Sequence, residues 1–120
     1  MSEQSELGKL GEQLAAEFLR KNDHIILHQN FVWEKAEIDI ISIKDNKIVF
    51  VEVKTRVSPY LNDPALMVPM KKWRQIMKAA DYFMKERTDD LTAQFDIISV
   101  ITNKDYTKIE HYDEAYIPGV

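Results

Sequence analysis

Asp39, Glu52 and Lys54, with Glu37 beside them, are the side chains of this 120-residue chain whose types and spacing could do chemistry. They lie in Glu37–Arg56, EIDIISIKDNKIVFVEVKTR, which reads as two strands joined by a tight turn. Glu37–Ile43 and Lys47–Lys54 are rich in β-branched and aromatic residues, and Lys44-Asp45-Asn46-Lys47 between them is turn chemistry. A two-residue loop at Asp45-Asn46, or a four-residue loop centred on the same point, gives one pairing. Ile41 then faces Phe50, Ile43 faces Ile48, Asp39 faces Glu52, and Glu37 faces Lys54. Directly opposed carboxylates have Cβ atoms roughly 5 Å apart, and like charges there repel. A divalent cation would offset the repulsion, since oxygens about 3 Å apart match neighbouring positions on octahedral Mg²⁺. Lys54 alone would offset part of it, and spacing leaves both readings open.

Side chains alternate along a strand. One face of the hairpin is therefore expected to carry Ile38, Ile40, Val49, Val51 and Val53 with Ser42. The other is apolar near the turn and then carries Glu37, Asp39, Glu52 and Lys54. The elements around the hairpin must cover these faces. Ser5 to Lys21 reads as an amphipathic helix, with Leu7, Leu10, Leu14 and Phe18 at three- and four-residue intervals and Gly11 and Ala15 flanking them. Glu3 and Glu6 suit its N-terminal end, and Asn22 is a C-terminal stop. Glu12 falls at the margin of the apolar stripe, where spacing alone makes it a solvated glutamate. Yet Gly8 and Gly11 cost about 1 kcal/mol each relative to alanine inside a helix. Their presence implies close packing against another backbone, which would carry Glu12 towards whatever the helix covers.

Ile25–Trp33 is expected to form a strand nearer an edge, with His24, His28 and His111 as ordinary polar residues rather than metal ligands. Val57–Val68, with two prolines, is a long irregular connection, either a loop that contacts substrate or a dimer partner or a plain flexible connector. Pro69 opens a second helix. Its buried face is Met70, Trp73, Ile76, Met77, Ala80, Phe83 and Met84. Lys71, Arg74, Lys78 and Lys85 run along another side with Lys72 between, either a solvated basic face or a phosphate-tracking surface. Gln94–Ile101 reads as a buried strand, reached by a right-handed parallel crossover. Lys108–Tyr112 is a last strand, and Asp113–Val120 a short tail. The order α-β-β-β-α-β-β predicts an α/β fold, a mixed sheet with helices packed on it.

Composition sets the outer limits. Hydrophobic residues are 45% and charged residues 30%, as in one globular domain spanning 1–120. The absence of cysteine excludes disulfides and thiolate zinc sites. A net charge of −4 argues against a generic nucleic-acid coat protein, but not against an enzyme that meets DNA through a local basic patch. The first residues carry no signal-peptide pattern and no stretch has transmembrane length, so a cytoplasmic protein without a membrane partner is expected.

An acidic residue on one strand followed by Glu-x-Lys on the next, here Asp39, Glu52 and Lys54, is the pattern of the PD-(D/E)xK nucleases. The wider strings are more specific: Gly8-x-x-Gly11-Glu12, Asn30, Glu37–Ile41, Phe50–Arg56, and Lys72 followed by Ala80 and Tyr82, all in order. Together they resemble the YraN-like family of predicted endonucleases, akin to archaeal Holliday-junction resolvases, over nearly the whole chain. Two features depart from the pattern. The usual glycine before Glu37 is Ala36, and basic residues common after Asn30 are replaced by Phe31, Val32 and Trp33.

The resemblance implies a restriction-endonuclease-like fold whose central hairpin carries the active site, with Glu12 approaching from the helix. It implies phosphodiester hydrolysis, with Mg²⁺ or Mn²⁺ held by Asp39, Glu52 and the Val53 carbonyl. Lys54 would orient water and offset charge on phosphorus, Glu37 would position Lys54, and Glu12 would complete the metal shell or bind a second ion. Arg56, Lys71 and Lys72 would contact phosphates, which fixes position without reading sequence. Structured or branched DNA is the expected substrate, and a homodimer would suit a junction. Two other readings stand beside this one. The same fold could hold nucleic acid without cutting it, or it could be a protein-interaction domain using Tyr60, Leu61, Leu66 and Met67.

Overall fold

The computed structural model describes residues 5–58 and 68–118. Within them the chain runs α1 (Glu6–Lys21), β1 (Ile25–Trp33), β2 (Ala36–Lys44), β3 (Lys47–Arg56), α2 (Met70–Lys85), β4 (Thr92–Thr102) and β5 (Thr107–Tyr116), the expected order. Most of the 57–68 connection, including Tyr60, Leu61, Leu66 and Met67, lies outside the described residues, as does Glu3. The strands form one mixed sheet in the order β1-β2-β3-β4-β5, with β1 at an edge as expected. Only β3 and β4 pair in parallel, with α2 as the crossover between them. No helix among the described residues is long and apolar enough to cross a membrane.

Two cores result. Ala15, Ala16 and Leu19 of α1 pack on Ile40, Val49, Val51, Val53, Ile98 and Val100. Trp73, Ile76, Ala79 and Ala80 of α2 pack on Ile38, Ile41, Ile48, Phe50, Phe95 and Ile97. Ser5 caps α1 by accepting the Gly8 N–H at 3.0 Å. The buried line of this helix is Gly11, Glu12, Ala15, Ala16 and Leu19, not the expected Leu7, Leu10, Leu14 and Phe18. Leu10 is exposed, while Leu14 and Phe18 pack from the flank. The physical reason is proximity: a Cβ on Gly11 would sit 1.8 Å from Thr55 Oγ1, so only the small-residue side lets α1 lie flat on β3.

In α2, Pro69 is the N-cap rather than the first helical residue, Met70 is exposed, and Ala79 takes a core place instead. β5 runs on through Asp113–Tyr116, which had read as a tail. Its polar composition fits an edge strand, and Glu114, at φ 50°, donates its N–H to the buried Asp96 carboxylate.

The hairpin turn is a two-residue loop with positive φ at both Asp45 and Asn46, 51° and 63°. Ile41 faces Phe50 and Ile43 faces Ile48, as the sequence predicted. The β2–β3 ladder then stops at Ile40–Val51, one step before Asp39 and Glu52. Beyond that point β2 stays with β1 as far as Ala36, and β3 stays with β4 as far as Arg56. The sheet therefore forks. Alternation also breaks at the same place, because Ile40 enters the α1 core while Ile38 enters the α2 core. Across from this break stands Asn30, at φ 55°.

Candidate functional site

α1, β1, β2, β3 and α2 each bring a polar side chain to the fork or its flank: Glu12, Asn30, Asp39, Glu52 and Lys72. Asp39 sits in the gap itself. Its Oδ2 accepts the Val53 N–H at 2.7 Å, so a carboxylate oxygen replaces the carbonyl that a continued ladder would have offered. Glu52, from β3, is only 5% exposed and stands beside Asp39. Its Oε1 takes the Lys72 ammonium of α2 at 3.1 Å, whereas its buried Oε2 has no hydrogen-bond partner. Two carboxylates side by side are two acceptors, and they need a proton or a cation between them.

The electrostatics follow from that crowding. Burial, and then the Glu52 charge, push the Asp39 carboxyl well above its ordinary range. Burial and the neighbouring Lys72 lower the Lys54 ammonium. Burial also works against the charge on Lys72, but Glu52, Asp39 and Lys54 together outweigh it, and that pKa rises. Glu12 is 8% exposed and is pushed up to about 7, chiefly by burial and by Glu37. It is thus buried: the solvated reading from spacing alone is corrected, and the inward placing expected from the helix glycines holds. The tight seat of Gly11 on Thr55 delivers it there, one residue along the same helix.

Asn30 ties this side together. With its amide nitrogen turned towards the acids, it donates to Glu12 Oε1 at 2.9 Å and Glu37 Oε1 at 3.1 Å. The expected pairing of Glu37 with Lys54 is corrected accordingly. Once the ladder ends, Glu37 no longer faces β3, and Asn30 across β1–β2 is its partner. In the sequence Asn30 stands out only as part of a motif. Its signal in the sequence is an asparagine, a residue that tolerates positive φ, inside a strand, and Asn30 has φ 55°.

A cleft of about 380 Å³ opens at the fork, lined by Glu37, Asp39, Glu52, Lys71, Lys72, Gln75 and Lys35 among others. Lys35 was missed by the sequence reading; its place in the β1–β2 turn, away from any charge run, hid it. It supplies a cation on the flank where Phe31, Val32 and Trp33 supply none. Ala36, which replaces the usual glycine, puts its methyl into the α2 core. Arg56, expected with the phosphate-contacting lysines, is half-buried at the end of β3 opposite Ile101 and does not line this cleft.

Among the described residues no group of three or more His, Cys, Asp or Glu is arranged to hold a metal. A divalent ion at the fork would therefore rest on two acids, Asp39 and Glu52, plus backbone or solvent oxygen. The unpartnered, buried Glu52 Oε2 fits that use, since hard cations take carboxylate oxygens. Two of the three histidines have other partners: His24 Nδ1 bonds Ser42 Oγ at 2.8 Å and His111 Nε2 bonds Asp96 Oδ2 at 2.7 Å.

By fold, this is an α/β protein with a forked, mixed five-stranded sheet and an acidic, lysine-lined cleft at the fork. The model of the Uncharacterised protein family UPF0102, the YraN-like family, matches residues 11–100, and the chain belongs to that family. Its relatives include a UPF0102 protein of Christiangramia forsetii, 43% identical over 116 residues, covering 97% of this chain and 98% of the other. One from Bacteroides thetaiotaomicron is 39% identical over 120 residues, with 98% of each chain covered. One from Geobacter metallireducens is 42% identical over 111 residues, covering 92% and 91%.

Proposed function

We propose that this chain is a Mg²⁺- or Mn²⁺-dependent nuclease that hydrolyses phosphodiester bonds in structured or branched DNA. The observation that carries the reading is the fork. Sheet pairing ends where Asp39 and Glu52 meet, and one buried oxygen there is left for a cation. A divalent ion held by Asp39, Glu52 and the Val53 carbonyl would polarise the scissile phosphate and lower the pKa of a bound water. Lys54 donates to the phosphate and offsets the charge that develops on it. Its lowered pKa also makes Nζ a readier proton carrier than a surface lysine. Glu12, near neutral pH in its titration, takes or gives a proton at Oε on the α1 side. Lys35 and Lys71 hold flanking phosphates, which sets the duplex in place without reading bases.

One observation favours a second reading, nucleic-acid binding without cutting: the Lys72 ammonium already neutralises Glu52. One experiment separates the two. Wild type, Glu52→Ala and Lys54→Ala are incubated with labelled linear, flapped and four-way DNAs in Mn²⁺ or EDTA. Metal-dependent cleavage by wild type that both variants lose supports the nuclease. Retention of DNA with no cleavage in any condition supports the binding module.

A further inference from the structure

We propose that Lys72 is an exchangeable counter-ion of the metal site: a divalent cation entering the fork displaces its ammonium from Glu52, and the freed ammonium serves the phosphate of a bound nucleic acid. This rests on the nuclease reading and adds a binding order to it. The two partners of the ion pair differ in freedom. Glu52 is 5% exposed and anchored in the central strand, whereas the Lys72 side chain is 40% exposed, at the end of a four-carbon stem. When they part, the lysine moves and the glutamate stays.

Charge balance sets the direction. Asp39 and Glu52 carry two negative charges when ionised, and Lys54 and Lys72 carry two positive ones beside them. A divalent ion added to that set leaves a surplus of positive charge in a poorly solvated space, and a shared oxygen cannot serve an ammonium and a metal at full strength together. Lys72 and Lys71 line the same cleft. An ammonium released from Glu52 therefore stays where a phosphodiester would lie, and the surplus charge is what the phosphate neutralises. Metal and nucleic acid then bind with positive coupling, and the coupling is reciprocal. In the free protein the ion pair keeps metal affinity low.

The test uses Mn²⁺ alone and a short fluorescent duplex on the full chain. Free Mn²⁺ is followed by electron paramagnetic resonance in titrations of wild type, Lys72→Gln and Lys72→Arg, with thermal melts to verify folding. Lys72→Gln is expected to bind Mn²⁺ about tenfold more tightly than wild type, within the usual range of coupling between sites, and Lys72→Arg no more tightly. The gain in duplex affinity on adding Ca²⁺ in place of EDTA is expected to shrink in Lys72→Gln. In wild type, which needs no variant to fold, the Lys72 side-chain ¹⁵N resonance is expected to move on titration with Mg²⁺. Unchanged or weaker Mn²⁺ binding by Lys72→Gln, or a fixed Lys72 resonance while Mg²⁺ binds, overturns the exchange and leaves the metal reading standing. Failure of wild type and Lys72→Gln alike to bind Mn²⁺ at millimolar concentration overturns both.

Discussion

Replacing Glu12 with glutamine should stabilise this protein at alkaline pH and leave it unchanged in acid. The Glu12 carboxyl titrates at about 7 in the folded chain against an ordinary 4.5, because burial and the nearby Glu37 both penalise its charged form. Below the ordinary value both folded and unfolded chains hold the proton, and no penalty exists. Between 4.5 and about 7 the unfolded chain loses its proton while the folded chain keeps it, so stability falls as pH rises. Above 7 the penalty is complete. At about 1.4 kcal/mol per pH unit, it amounts to about 3 kcal/mol. Glutamine keeps the shape and the oxygen that accepts from Asn30 at 2.9 Å, and it carries no charge. Thermal melts in EDTA should therefore coincide near pH 4 and separate by roughly 10 °C near pH 8, with Glu12→Gln the higher. A variant less stable than wild type at pH 8, or a difference that does not change with pH, would refute the placing of a buried acid against Glu37.

Further substitutions test the scaffold. Gly11→Ala should cost about 1–3 kcal/mol by overpacking against Thr55, and Thr55→Gly in the same chain should recover part of it; urea titration of the three proteins decides. Asp39→Ala should lose both cleavage and about 1–3 kcal/mol, because the Val53 N–H loses its acceptor, whereas Asp39→Asn should lose cleavage with a smaller change in stability. Asp96→Ala, whose side chain sits in a separate pocket with His24, Gln94 and His111, should cost about 3 kcal/mol or more while sparing cleavage. That change orphans His111, Gln94 and the Glu114 N–H at a fully buried position, and a chemical melt beside the DNA assay reads both effects.

The hairpin was legible in the sequence because two local rules agree on it. Asp45-Asn46 accepts only a narrow set of turn conformations, and the β-branched runs on either side fix the register from there. Helix order and the parallel return of β4 were legible for similar reasons. The fork was not. Alternation assumes an unbroken pleat, so it placed Ile38 with Ile40, and nothing local to residues 37–41 signals that pairing ends there. The interruption depends on Asn30 across the sheet and on Asp39 standing in for a backbone carbonyl, both tertiary facts. The orientation of α1 was misread for a related reason. Leucine spacing marks the greasiest side of a helix, yet the distance at which α1 rests on β3 is set by its smallest residues. Gly11, unlike the leucines, did point to the close packing that buries Glu12.

The ion pair between Lys72 and Glu52 also bears on how the chain reaches its native state. Strands β2 and β3 find each other through a short turn, early and locally, and the acids come together with them. The amine that calms this pair arrives on α2, which docks only when the β3–β4 crossover closes across a long span of sequence. Without Lys72 the two carboxylates would have only Lys54 as a neighbouring cation to offset their repulsion. A chain truncated before α2 should thus fail to keep its acids abreast, and the helix serves as the final latch on the site as well as the lid of a core.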